Sequence, residues 1–552
     1  MTEPNDLLGY LKYRAAAEPA KTALADAGHT LTYADYGRAV DALASRLRGA
    51  GVTPGATVAV ALPKCVSLPI AYLGTAAAGA AAFPVDPKGG PRVWRDLIGR
   101  FAPAAIITSR EASLPAAPIA HPLIAAEDVL ADDAAPPFDA TPPSPDTVFY
   151  LNMTSGVTGH PKAAVATHGN IITNALAASA ALALTADDVH LVTFAAHAHP
   201  HECFARALVL GGTAVFLESI LPRSVLNTVE KFGVTALMGV PPLFRSLLPL
   251  AAEFGKTRLR VAEAGGMTTR RALVDDFRNE FGVPLRRVWG STETSGIAFL
   301  AAEDAPEGSL GRPLATYDGK VVGDDGAELP PGGIGELALR GPGCVRGYWR
   351  RDGIETVNGP WIRSGDVGRR EEDGTFTFVD RLQGLMKIAG EKVFAAEIER
   401  MIAEHPAVAE VAVVAREDDV RGQIPIAYVV PFPHLTVTPG QIAAFAAERL
   451  SPIKRPKTVV VVPALPSAGS GKIDKKKLGV NVDAELEALA AADAEILRML
   501  NWRYERLRDL GDLLSASELE RYVQRVVAAN AGPLHDDTVA EVFRKLNELL
   551  GR

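Results

Sequence analysis

Over residues 7–150, short apolar runs alternate with stretches of helical periodicity. Thr30-Leu31-Thr32-Tyr33-Ala34-Asp35 opens a predicted helix that carries Leu43 and Leu47 and meets a Gly49/Gly51 stop. Residues 57–62 predict a strand, 70–82 a helix of small residues, 82–87 the end of another strand, and 104–108 a further one. Residues 131–145, rich in Asp, Ala and Pro, predict a surface connection, and 148–151 a buried strand. The pattern resumes with apolar runs at 189–194, 211–216, 234–242, 259–266 and 288–293, and with a hairpin strand at 374–381. Strands alternating with helices predict a layered α/β domain around parallel sheet. Residues 384–478 predict a smaller unit, with helices at 395–405 and 439–450 and strands at 408–414 and 424–430. Beyond 484, Leu486, Leu489, Ile496, Leu500, Leu507, Leu510 and Leu514 follow helical spacing. A second helix runs from about Glu518 to Asn530, where Ala531-Gly532-Pro533 breaks it; a third, capped by Asp536 or Asp537, ends near Leu550.

Composition narrows the function classes. A chain of 552 residues predicts two or three domains, and 48% hydrophobic residues suffice for large cores. A net charge of −8 argues against a nucleic-acid surface. The opening Met1-Thr2-Glu3-Pro4-Asn5-Asp6 lacks the basic and apolar regions of a signal peptide, and no apolar run reaches membrane-spanning length. Cys65, Cys203 and Cys344 form neither a disulfide framework nor a metal cluster. A cytoplasmic protein with no membrane or nucleic-acid partner is expected.

The first stretch with chemistry is Thr154-Ser155-Gly156-Val157-Thr158-Gly159-His160-Pro161-Lys162. Glycines let backbone N–H groups turn inward around an anion, and hydroxyls add mobile donors. Lys162 supplies a cation. The set suits the phosphates of ATP, although Pro161 before the lysine breaks the Walker spacing. The stretch resembles the phosphate loop of AMP-forming adenylating enzymes, which include acyl- and aryl-CoA synthetases, luciferases and peptide-synthetase adenylation domains. Val157 stands where a hydroxyl is usual and Ala163 where glycine is usual. The resemblance implies that Thr154, Ser155, Gly156, Thr158, Gly159 and Lys162 hold phosphates. It also implies an α/β fold with a large αβαβα adenylation core at 1–381 and a small mobile α+β lid domain at 382–478, to which the helical spacing adds an all-α three-helix tail at 484–552.

Further stretches resemble this family's motifs in the family's order. Residues 259–266 end in a turn at Gly265 and Gly266, where a flat ring can approach backbone. Val288-Trp289-Gly290-Ser291-Thr292-Glu293 is similar to the family's aromatic-Gly-x-Thr-Glu. The resemblance implies that Trp289 packs on adenine beside Gly290 and Ser291, that Thr292 bonds the α-phosphate, and that Glu293 binds Mg²⁺. A metal beside polyphosphate requires such a hard oxygen ligand. Arg363-Ser364-Gly365-Asp366 resembles the motif whose aspartate accepts from both ribose hydroxyls, as one carboxylate can. Arg381 is implied near ribose and phosphate, preceded by Asp380 where glycine is usual. Gln383 takes the pivot position, usually Asp or Lys, and Gly390 the loop that admits a thiol. The loop ending Ser470-Gly471-Lys472-Ile473-Asp474 resembles one whose lysine bridges the substrate carboxylate and the α-phosphate. Lys472, Lys162, Thr292, Glu293 and Arg381 are thus the expected catalytic set.

Ala195-Ala196-His197-Ala198-His199-Pro200-His201 admits three readings: a zinc site with Glu202 and Cys203, histidines satisfied within a loop, or the wall of an acid pocket. The resemblance favours the pocket, since the hydroxybenzoate-activating subgroup reads Ala-His-Asn-Tyr-Pro here. The implied pocket comprises His197, Ala198, His199, Met238, Gly265 and Gly290. Ala198 replaces the asparagine that meets an ortho-hydroxyl, which weighs against salicylate or 2,3-dihydroxybenzoate but keeps an aromatic acid. No aspartate stands where α-amino groups are anchored, which disfavours an amino acid. The expected reaction is ATP- and Mg²⁺-dependent activation of a carboxylic acid, a substituted benzoate, as acyl-adenylate with release of pyrophosphate. Transfer to a thiol of CoA, or of phosphopantetheine on a separate carrier protein, follows. The alternatives are an aliphatic acyl-CoA ligase and a bifunctional or regulatory protein with a retained chorismate-binding module.

The tail carries a second resemblance. Glu495-Ile496-Leu497-Arg498-Met499-Leu500-Asn501-Trp502-Arg503, with Asn530-Ala531-Gly532-Pro533 and Val539-Ala540-Glu541-Val542-Phe543, is similar to the all-helical chorismate mutases. Of that family's site only Arg503 carries over; Leu486, Leu514 and Leu519 fall where an arginine, a lysine and a glutamate stand. The resemblance implies a degenerate mutase fold used for docking, ligand sensing or homodimerisation, because three helices bury little surface alone.

Overall fold

The computed structural model describes residues 4–89, 91–110, 121–132, 136–153, 162–254, 257–350, 353–357, 359–389, 391–418, 420–466, 473–478, 498–499, 502, 505–506, 515–528 and 536–549. The chain divides into two compact units, Met1–Lys475 and Lys476–Arg552.

Three sheets organise the first unit. In one, Thr57–Ala61 lies parallel to Ala81–Pro84 and Ala105–Thr108. Val148–Met153 extends this sheet and pairs antiparallel with Ala163–Thr167, so the phosphate-loop stretch connects two neighbouring strands. In the second, Thr213–Val215, Val189–Val192, Ala236–Gly239, Val261–Ala264 and Leu285–Ser291 run parallel. Direction reverses at Leu285–Ser291: Gly296–Leu300 pairs antiparallel with it, and Ser309–Pro313, Phe376–Arg381 and Ile362–Arg370 continue the antiparallel half. The strand bearing Trp289 therefore lies at the seam, and crevices at carboxyl ends of parallel strands are where α/β proteins bind ligands. The third sheet combines the hairpin Val408–Asp418/Gly422–Pro431 with Leu385–Ile388, Glu391–Phe394 and Thr458–Val461. The helices Ala395–Ile402 and Pro439–Arg449 bury Ile398, Ile402, Ile442 and Ala446 in its core.

Local sequence explains most element ends. The helix Tyr33–Gly49 starts from a capping box between Thr32 and Asp35 and buries Leu43 and Leu47. Thr30–Thr32, expected as part of its start, is a short strand instead. The helix expected at 70–82 spans Ser67–Ala77: all its residues are buried, so no polar face marks its limits. It approaches its neighbour closely, since a Cβ on Gly74 would lie 2.7 Å from Leu43 Cδ2. The strand read at 234–242 ends at Gly239, because Pro241 occupies the first turn of the helix Pro241–Leu247.

In the second unit, helices Ala516–Ala528 and Asp536–Leu549 are joined by Arg544–Glu520 at 2.7 Å and by an edge-on Tyr522–Phe543 pair. Leu486, Leu489, Ile496, Leu500, Arg503, Leu507, Leu510 and Leu514 lie outside the described residues. No helix among the described residues is long and apolar enough to cross a membrane.

Candidate active site

Of the expected site residues, Thr154, Ser155, Gly156, Thr158, Gly159, Gly390 and Lys472 lie outside the described residues. Lys162, the last residue of the phosphate-loop stretch, sets its Nζ 4.9 Å from the centre of the Tyr348 ring, a cation–π contact. Burial, together with the nearby Glu293 carboxylate, raises the pKa of the Tyr348 phenol. The Glu293 carbonyl accepts from Val345 N at 2.9 Å, which pins the loop ahead of the strand Gly347–Arg350. Lys162 and Glu293, 131 positions apart, thus converge on one aromatic residue that no sequence signal identified. Burial raises the Glu293 carboxyl above the ordinary 4.5, with the Arg381 charge opposing the shift. A partly buried carboxylate whose ionisation is costly fits a divalent cation, which would reverse that cost.

Residues expected to bind nucleotide meet on adjacent strands. Asp366 and Arg381 are register partners, and Arg381 Nε lies 2.7 Å from Asp366 Oδ1. Trp289 Nε1 donates to Asp366 Oδ2 at 2.8 Å. The carboxylate is 2% exposed and the Arg381 side chain half-exposed. Glu336 secures the motif from behind, accepting from Gly365 N at 2.9 Å and Arg363 Nε at 2.6 Å. Thr292 and Glu293 lie on the single turn Thr292–Thr294, closed by Ser291 N donating to Thr294 Oγ1 at 2.9 Å. A Cβ on Gly290 would lie 2.1 Å from Gly296 O, so only glycine fits there. Gly266, at φ +77°, makes the turn after Gly265.

The histidine stretch divides in two. His197, Ala198 and His199 are half-buried, with the Phe194 and His199 ring centres 6.4 Å apart. A Cβ on Gly265 would sit 3.9 Å from Phe194 Cζ, which places Gly265 on the same wall. His201 points inward instead, between Tyr150 and Ser295. Among the described residues no three of His, Cys, Asp or Glu converge on a metal position. Burial pushes the Cys203 thiol up to about 12, which keeps it unreactive. Behind the wall, Arg206 donates to Glu263 at 2.8 and 3.0 Å and to Glu202 at 2.9 Å, and Met238 Sδ lies 3.6 Å from the same guanidinium. Lys64 Nζ donates to Thr193 O at 3.0 Å. Neither group was found from the sequence: Glu202 is four positions from Arg206, but Glu263 is 57 from Arg206 and Lys64 is 129 from Thr193, separations that carry no mark of pairing.

Gln383 lies on the one-turn helix Leu382–Gly384. Beside it, the buried Asp380 accepts from Arg381 N at 2.6 Å and from Ala396 N, in the first turn of the helix Ala395–Ile402, at 2.8 Å.

The chain is similar to known proteins over most of its length. Residues 11–349 match the AMP-binding enzyme family, and residues 397–472 the AMP-binding enzyme C-terminal domain. Feruloyl-CoA synthase of Amycolatopsis sp. is 33% identical over 476 residues, 84% of this chain and 96% of the relative. Salicyl-AMP ligase/salicyl-S-ArCP synthetase of Mycobacterium tuberculosis is 31% identical over 502 residues, 83% and 88% of the two chains. The solved structure of o-succinylbenzoate CoA synthetase from Bacillus subtilis with AMP aligns at a TM-score of 0.78 and 25% identity, covering 85% of this chain and 97% of that one. With the residue trio around Asp366 and the paired motif order, the chain belongs to the AMP-binding enzyme family.

Proposed function

We propose that this chain activates an aryl carboxylic acid with Mg·ATP and passes the acyl group to a thiol. The observation that carries the reading is the buried Asp366, held between Trp289 and Arg381 beside the Lys162–Tyr348–Glu293 cluster. A ribose diol can donate to the Asp366 carboxylate, which accepts more than one donor, while the Trp289 face covers adenine. A substrate carboxylate oxygen then bonds to the α-phosphorus as the bond to pyrophosphate breaks. Lys162, with the hydroxyls of 154–158, neutralises the departing phosphates, and Lys472 the approaching anions. Bound Mg²⁺, held by Glu293, would supply charge neutralisation at the phosphates. The small domain then turns about Gln383, and the Gly390 loop admits the thiol of CoA or phosphopantetheine.

An aryl acid is supported by the names of the relatives and by the two rings of Phe194 and His199 beside Gly265. ATP–pyrophosphate exchange over a panel of benzoates, hydroxycinnamates and fatty acids tests this. Exchange is expected with aromatic acids, and exchange with fatty acids alone would defeat the aryl assignment. CoA and a loaded carrier protein, offered separately to the adenylate, decide the acceptor.

The tail retains the reading of a mutase-like module used for homodimerisation. Truncation after Val480 is expected to halve the mass measured by sedimentation equilibrium; an unchanged mass would remove that role.

A further inference from the structure

We infer that His201 is a positioning residue that ties the wall of the acid site to the turn bearing Thr292 and Glu293, through a relay from Tyr150 to Ser295. The inference rests on the adenylation reading above. The strand Val148–Met153, which leads into the phosphate-loop stretch, presents Tyr150 and Asn152 two positions apart and so on one face. Both reach the acid wall: Asn152 Nδ2 donates to Ala198 O at 2.8 Å, and the Tyr150 hydroxyl lies 2.8 Å from His201 Nδ1. His201 Nε2 lies 3.1 Å from Ser295 O.

A carbonyl only accepts, so Nε2 carries the hydrogen and Nδ1 accepts from the phenol. His201 is 3% exposed, and burial lowers its pKa below 6.5, so the ring is neutral and holds this tautomer. Ser295 needs holding. It has φ +51°, uncommon for a residue with a side chain, and directly follows the turn Thr292–Thr294. The opposite side of the loop is bonded as well: Asn174 Nδ2 donates to Ile297 O at 2.7 Å, and Tyr317 OH to Thr294 O at 2.7 Å. Below it, a Cβ on Gly296 would lie 2.2 Å from Glu202 Oε1, so the residue next to His201 packs on the same segment.

The relay therefore sets the spacing between the acid and the groups that hold phosphate and metal. Attack on the α-phosphorus requires reacting atoms about 3–3.5 Å apart in line, and a misplacement of about 1 Å costs about 100-fold. Thioester formation from a finished adenylate does not use that spacing.

The test compares His201→Phe, His201→Gln and Tyr150→Phe with wild type in two assays. One is pyrophosphate exchange, with kcat and KM for ATP and acid; the other is thioester formation from supplied acyl-adenylate. His201→Phe is expected to lower the exchange kcat about 10- to 100-fold. Its thioester step should stay within about twofold of wild type. His201→Gln, whose amide can donate to Ser295, should recover part of the loss, and adding Tyr150→Phe to His201→Phe should cost nothing more. Equal losses in both assays, or single losses that multiply in the double variant, would overturn the relay. Should His201→Phe fail to fold, an unchanged exchange kcat in Tyr150→Phe overturns it alone. Wild-type protein that exchanges with no acid refutes the ligase reading, whereas active wild type with unaffected variants refutes only the relay.

Discussion

Asp366→Ala is expected to lower kcat/KM for ATP by about 10²–10⁴-fold while the protein remains folded. The carboxylate is buried and already organised by Trp289 Nε1 and Arg381 Nε, so it can meet a ribose diol without reorganisation. Two hydrogen bonds to an ionised group contribute about 1.5–3 kcal/mol each, and both disappear in the variant. Trp289 and Arg381 also lose the partner that orients them. Trp289→Phe separates the contributions: it keeps an aromatic face but drops the N–H, and should raise KM for ATP about tenfold with kcat little changed. Exchange kinetics at varied ATP measure both variants. An Asp366→Ala enzyme within threefold of wild type would mean that the nucleotide binds elsewhere.

Arg206→Met is expected to be the most destabilising single change behind the acid wall, by about 3–5 kcal/mol. The guanidinium is enclosed between Glu202 and Glu263, and all three side chains are buried. Its removal leaves two carboxylates of like charge without a counter-ion in a low-dielectric interior. Stability should then depend on pH with a definite sign. Burial holds the Glu263 carboxyl above 4.5 even against Arg206, so the folded chain binds that proton more tightly than the unfolded one. The resulting stabilisation is complete below 4.5 and is lost as pH rises through the folded value, which moves higher still without Arg206. Urea midpoints between pH 8 and 5 should show the gap between variant and wild type narrowing on acidification. A gap that stays constant or widens would contradict the assignment. Adding Glu263→Gln should restore part of the loss at pH 8.

The residues expected to hold nucleotide are legible because they fall in short contiguous stretches, and antiparallel pairing makes two of them from separate motifs, Asp366 and Arg381, register partners. Hidden from such a reading were the groups that act across the fold. Tyr348 joins Lys162 to Glu293 only after Gly347–Arg350 pairs with Ala163–Thr167. In the Glu202–Arg206–Glu263 cluster Glu202 is local to Arg206, but Glu263 lies 57 positions from Arg206, and periodicity carries no information on such a pair. The resemblance sets His197 and His199 apart from His201, but nothing in the sequence signals that the turn Pro200–Cys203 carries His201 inward to Tyr150 and Ser295. Element limits failed where burial was complete, as in Ser67–Ala77, since a helix without a wet face offers no rhythm to measure.

Asp380 has a mechanical consequence. By accepting from Arg381 N and Ala396 N, its carboxylate cinches residues 381–395 into a closed bight containing Gln383 and Gly384. The rotation proposed about Gln383 would have to open one side of that knot, and a buried acceptor left short of a donor costs about 1–3 kcal/mol. Under that proposal the carboxylate would act as a latch that ligand-binding energy has to release.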